Sequence, residues 1–121
     1  MNKLRKLNIL VYRGETYQRN ITISNFARTI TNLYFTVKKT DSDETVALQK
    51  TIGNGLTLMD YDEETNTYTY LLELDTDDTE NLEIGDYGYD ITITAEDYKK
   101  PIVMGRFRIE AVYTTKKDEV K

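Results

Sequence analysis

The chain has 121 residues, enough for one domain whose core needs no disulfide or metal staple. It has no cysteine and no histidine, which removes disulfides, thiolate chemistry, the commonest general base and the commonest transition-metal ligand. A net charge of -5 argues against nucleic acid and anionic membranes as partners, and no apolar run approaches the length of a membrane span.

Alternation of apolar and polar residues with period two runs through most of the chain and predicts strands throughout. The basic opening, residues 1–6, reads as a solvated tail. A first strand follows over Asn8 to Arg13, and its apolar run, Ile9 to Tyr12, is too short for a signal-peptide core. Gly14 to Thr16 turns into a second strand, Tyr17 to Ser24, with Ile21 and Ile23 sharing a face. After a loop, a third strand from Asn32 to Thr40 points Leu33, Phe35 and Val37 inward. The polar turn Asp41 to Thr45 leads to a fourth strand, Val46 to Ile52.

"GNG" at Gly53 to Gly55 predicts a tight turn into a fifth strand, Leu56 to Asp60. Beyond the acidic segment Asp60 to Asn66, a sixth strand, Thr67 to Leu74, is expected to bury Tyr68, Tyr70, Leu72 and Leu74. The segment from Asp75 to Gly85 lacks alternation; Asp75 or Thr76 is expected to cap one turn of helix, with Leu82 packing down. A seventh strand covers Tyr87 to Ala95, a loop runs from Glu96 to Pro101, and a last strand spans Ile102 to Thr114 with Phe107, Ile109 and Ala111 inward. A charged tail, 115–121, closes the chain. The expected architecture is all-β: an immunoglobulin-like antiparallel β-sandwich of roughly seven or eight strands over residues 7–114, with one short helical turn.

The stretch "LEIGDYGYDITIT", Leu82 to Thr94, refines that expectation. In immunoglobulin-like sandwiches one strand is entered through a corner where a tyrosine stands two residues before a central core position and bonds back to the backbone. Leu82, Gly85, Tyr87 and Tyr89 match that corner: Leu82 packs beneath it, Gly85 relieves it, Tyr87 takes the corner position and Tyr89 the core position. Both rings are expected inside the sandwich. A glycan-binding tyrosine pair would more naturally stand on the solvent face.

Three segments together carry a resemblance: "LYFTVKKTDSDETVALQKTI" (Leu33 to Ile52), "LEIGDYGYDITIT", and the closing "GRFRIEAVYT" from Gly105. This ordered set resembles small sandwich domains in bacteriophage and prophage proteins of Gram-positive bacteria, among them the N-terminal domain of the upper baseplate protein of lactococcal siphophages. The resemblance implies a non-enzymatic structural module that docks to other phage tail or baseplate proteins, found in the virion or in the bacterial host cytoplasm during synthesis, and able to form a homo-oligomer in the particle. The baseplate proteins continue beyond this domain, so the chain reads either as a small stand-alone protein or as a fragment. Two other readings stand beside it: a glycan-binding or surface-adhesion module, and an intracellular phage-encoded regulatory protein.

No catalytic constellation is visible and no cofactor is expected. The segment Asp60 to Asn66 offers alternating oxygens, but the calcium-loop positions that need a glycine and an acid hold Thr65 and Leu71. If every predicted turn reverses the chain, alternate loops gather at opposite poles. Asp41, Asp43 and Glu44 would then share a pole with Asp60, Asp62, Glu63 and Glu64, making an acidic interaction surface.

Overall fold

The computed structural model describes residues 5–114. Its strands are β1 (Arg5–Lys6), β2 (Ile9–Tyr12), β3 (Tyr17–Ile23), β4 (Ile30–Lys38), β5 (Leu48–Ile52), β6 (Gly55–Asp62), β7 (Thr67–Leu74), β8 (Gly85–Ala95) and β9 (Tyr98–Glu110), with one short helix, α1 (Thr76–Glu80). Among the described residues no helix is long and apolar enough to cross a membrane.

The strands form a continuous path, β1-β9-β8-β4-β5-β6-β7-β3, with β2 also on β9. The path folds over where β5 meets β6. One layer is β3-β7-β6; the other is β1/β2-β9-β8-β4-β5. Alternate side chains of both layers meet in one core that includes Val11, Ile23, Leu33, Phe35, Leu72, Ile93 and Phe107. The last strand of the larger layer pairs in parallel with the first, Ile9 opposite Phe107 through Tyr12 opposite Glu110. This is an immunoglobulin-like β-sandwich. Its core has no cysteine; Phe35 of β4 instead packs on Tyr89 of β8 and on Phe107 of β9, with ring centroids 5.4 and 6.0 Å apart.

Where the structure departs from expectation, local chemistry explains the difference. The "GNG" turn does not reverse the chain. β5 and β6 run parallel, Thr51 opposite Gly55 and Ile52 opposite Leu56. Gly53 and Gly55 sit at φ +86° and +95°, and bonds such as Gly53 N–H to the Leu56 carbonyl at 3.0 Å close the step. The chain therefore moves sideways from one layer into the other. Gly55 also leaves room for the Lys50 stem, which a Cβ there would meet at 2.4 Å.

Of the tail expected over residues 1–6, Arg5 and Lys6 instead pair with Val103 and Met104, and residues 1–4 lie outside the described residues. The ladder lapses at Leu7 and Asn8, where the Asn8 side chain accepts the Arg106 amide at 3.0 Å. Pro101, expected at a strand start, lies inside β9. A turn at Glu96 and Asp97, the latter at φ +53°, starts the strand earlier. A bulge between Ile91 and Thr92 pairs Thr92 with Pro101 and leaves Ile102 and Val103 both buried. The strand ends at Glu110, where β2 also ends, so Ala111, expected inward, is exposed. β5 begins at Leu48, later than Val46, and β6 runs on through Asp60 to Asp62 with a bulge after Leu58. Tyr68 is only half-buried, while Tyr70, Leu72 and Leu74 are in the core. The expected tail at 115–121 lies outside the described residues.

The corner has definite geometry. Asp75 precedes α1, and its amide donates to the Asp78 carboxylate at 2.7 Å. Thr79 is fully buried, its hydroxyl accepting the Gly14 amide at 2.8 Å, and Leu82 packs against the core. Gly85, at φ +138°, opens β8. The Tyr87 hydroxyl then donates to the Glu83 carbonyl at 2.8 Å, and Lys39 lies 5.5 Å over its ring. Tyr89 instead reaches over Gly105 of the neighbouring β9, within the same layer, donating to the Leu7 carbonyl at 2.6 Å, and burial pushes the pKa of its hydroxyl up to about 12. Tyr87→Phe is expected to cost about 1 kcal/mol, one intramolecular hydrogen bond. A denaturant melt with an unchanged midpoint would show that the corner bond contributes nothing.

Candidate interaction face

The outward residues of the larger layer form a broad face. β4 presents Tyr34, Thr36 and Lys38, and β8 presents Asp86, Gly88, Asp90, Thr92 and Thr94. At the centre is a depression of about 600 Å³ lined by Tyr34, Thr36, Lys38, Gln49, Gly88 and Asp90 among others. Its polar groups are held in place. Gln49 donates to the Thr36 hydroxyl at 2.9 Å, and the Thr92 hydroxyl donates to the Asp90 carboxylate at 2.8 Å. Towards one end, Arg108 donates to Asp86 at 2.8 Å and also to Glu110, and these bonds raise its already high pKa.

Gly88 is part of the lining of that depression. It lies mid-strand in the middle of the layer, where glycine weakens a sheet. Nothing in the fold demands it. Its φ is not in the left-handed region, and a Cβ built on it would meet no atom within 4 Å. Gly105, its neighbour on β9, is the opposite case, since a Cβ there would lie 1.9 Å from the Leu7 carbonyl oxygen. In the sequence Gly88 was only a spacer between two tyrosines. The available signal was a glycine inside a strict strand pattern.

The acidic residues do not converge. The β2–β3 turn touches α1 through Gly14 and Thr79, and Lys39, just after β4, pairs with Glu83 at 2.8 Å. Asp41, Asp43 and Glu44 therefore belong to the pole that holds α1. The turn after β6 touches the β3–β4 connection at the other end, where the Phe26 amide donates to the Asn66 carbonyl at 2.9 Å. Asp60, Asp62, Glu63 and Glu64 belong there. The sideways step at "GNG" removed one reversal and so split the expected surface. Some of these carboxylates serve their own turns: Asp43 accepts the Thr40 amide at 3.1 Å and Asp62 accepts the Glu64 amide at 3.0 Å.

Two further features lay beyond sequence reasoning. Lys50 falls on the inward side of β5, is 8% exposed, and pairs with Asp78 of α1 at 2.9 Å. At the pole away from α1, Phe26 packs edge-on against Tyr98 at 5.5 Å and Tyr61 lies on Tyr68 at 4.5 Å, with Arg28 4.5 Å over the Tyr98 ring. Lys50 and Asp78, and Phe26 and Tyr98, are distant in the chain and meet only in the folded sandwich.

No protein-family model and no curated protein matches the chain. Among solved structures, it is similar to a family 123 glycoside hydrolase from Clostridium perfringens at 12% identity and a TM-score of 0.52, over 90% of this chain and 23% of that one. It is also similar to the extracellular domain of the voltage-gated sodium channel beta4 subunit, at 16% identity and a TM-score of 0.41, over 93% of this chain and 97% of that one. A further match, from work on cell-adhesive interactions of sodium channel beta subunits, has 18% identity and a TM-score of 0.39, covering 94% and 93%. At these identities the likeness concerns the fold.

Proposed function

We propose that the chain is a non-enzymatic structural module of a phage or prophage particle, docking to tail or baseplate proteins through the outer face of its larger layer. The observation that carries the docking surface is Gly88, a glycine in the lining of an open depression where a Cβ would meet no atom within 4 Å. A glycine in that setting lets a partner approach the backbone. The phage context rests on the resemblance of the three strand segments. On this reading the chain resides in the virion, and in the host cytoplasm during synthesis. A homo-oligomer in the particle follows the symmetric habit of such assemblies.

Two measurements test the reading. Particles purified after induction of the source element should contain the chain by mass spectrometry; its absence from them would favour an intracellular regulatory role. Gly88→Leu should melt like the parent, since the added side chain meets open space, yet enter particles about tenfold less. Equal incorporation would move the contact elsewhere. A glycan-binding role is favoured by one feature, the Tyr34 ring beside Gln49 and Asp90 in the same depression. Saturable binding of a soluble oligosaccharide that is lost in Tyr34→Ala would establish it instead.

A further inference from the structure

The two layers join along one side only. On the other side β3 ends one layer and β1 lies at the end of the other, and no ladder links them among the described residues. What crosses is a side chain: Arg5 Nη2 donates to the Thr22 carbonyl at 2.9 Å. An arginine spanning two backbones holds them farther apart than the ~4.8 Å of a ladder step. Behind this seam a cleft of about 270 Å³ enters the sandwich, walled by Leu7, Ile9, Ile21, Leu72 and Val103, with Tyr89 also in its lining.

The cleft also draws on Arg5, Lys6 and Arg19. Three cations gathered in a chain of net charge -5 are unusual, and among the described residues no carboxylate forms an ion pair with any of them. Arg19 shares the alternation of Ile21 and Ile23, so it occupies a core-parity position where the strand pattern calls for an apolar residue. Its hydrogen bond is a long one, to the Tyr17 hydroxyl at 3.4 Å. The bond from Arg5 also fixes the backbone orientation. If the Thr22 carbonyl points away from β7, so do the backbone groups of Asn20 and Gln18, because such groups alternate along an antiparallel strand.

We propose that this seam is a strand-insertion site for an extended acidic segment of a partner protein. The segment adds to the free edge of β3 through main-chain hydrogen bonds, seats alternate apolar side chains in the cleft, and meets Arg5, Lys6 and Arg19 with its carboxylates. A helix, about 10 Å across, is too wide for edges that one arginine spans. The charge excludes a basic segment. This site is distinct from the face around Gly88, so failure here leaves that reading untouched.

The test is an NMR titration of the chain with a short peptide alternating valine and glutamate. A valine–lysine peptide and decanoate serve as comparisons. The expected result is saturable shifts of the Gln18, Asn20 and Thr22 amides with the acidic peptide alone. Arg19→Glu should weaken binding about tenfold or more. Asn20→Pro, which removes an outward donor and leaves the β7 ladder intact, should abolish it. If Asn20→Pro unfolds, the exposed Arg19→Glu decides. No saturable shift, equal binding of the lysine peptide, shifts confined to other strands, or binding of decanoate without the peptide would each overturn the proposal, the last in favour of a small anionic amphiphile.

Discussion

Gly105→Ala is expected to cost about 3 kcal/mol, near the upper end of what overpacking by one small group does. The reason is where β1 and β2 cross β9. Gly105 faces inward opposite Tyr89, and a Cβ would lie 1.9 Å from the Leu7 carbonyl oxygen and 3.2 Å from the Tyr89 ring. A backbone oxygen cannot swing aside as a flexible side chain can. Moving it would also disturb two bonds made at the same residue: Leu7 N–H to the Met104 carbonyl at 3.0 Å, and the Tyr89 hydroxyl to the Leu7 carbonyl at 2.6 Å. Denaturant unfolding should show a lower midpoint at an unchanged slope. Gly88→Ala, meeting open space, should leave the midpoint unchanged or raise it slightly. If the two alanines behave alike, the close approach at Leu7 does not hold the first strands in place.

Phe35→Ala is expected to cost about 3–5 kcal/mol, a large share of the 5–15 kcal/mol that holds a typical domain folded. The ring has no exposed surface, and its neighbours Tyr89 and Phe107 are themselves large and fixed. Tyr89 is anchored by its hydroxyl to Leu7 and cannot collapse into the space. Phe35→Leu should recover much of the loss. A loss under about 1 kcal/mol for the alanine variant would mean that the aromatic trio is not the centre of the core.

The strands were legible because one face of almost every strand is buried, so the period-two pattern is strong. Leu33, Phe35 and Phe107 were assigned inward from that pattern, Tyr87 and Tyr89 from the corner it leads into, and all are buried. The corner was legible because its chemistry is local, with Tyr87 bonding to Glu83 only four residues away. The pole arrangement was not. Whether Gly53 to Gly55 reverses the chain or steps it sideways depends on which layer β6 joins, and three residues carry no record of that. The pairing of Lys50 with Asp78 was hidden for the same reason, since the partners meet only once β5 and α1 are placed. The seam was hidden too, because a strand's free edge is a property of the sheet and not of its own sequence.

The parallel pairing of β1 and β2 with β9 places the start of the first strand and the end of the last at opposite poles. A pull between those two points acts along the strands and not across them. It would slide the first strands against the last, stressing the pairs from Arg5 opposite Val103 to Tyr12 opposite Glu110 together. An antiparallel hairpin pulled at its open end gives up its bonds one after another. A load applied that way would be met in shear, across the ladder that the missing side chain of Gly105 allows to close.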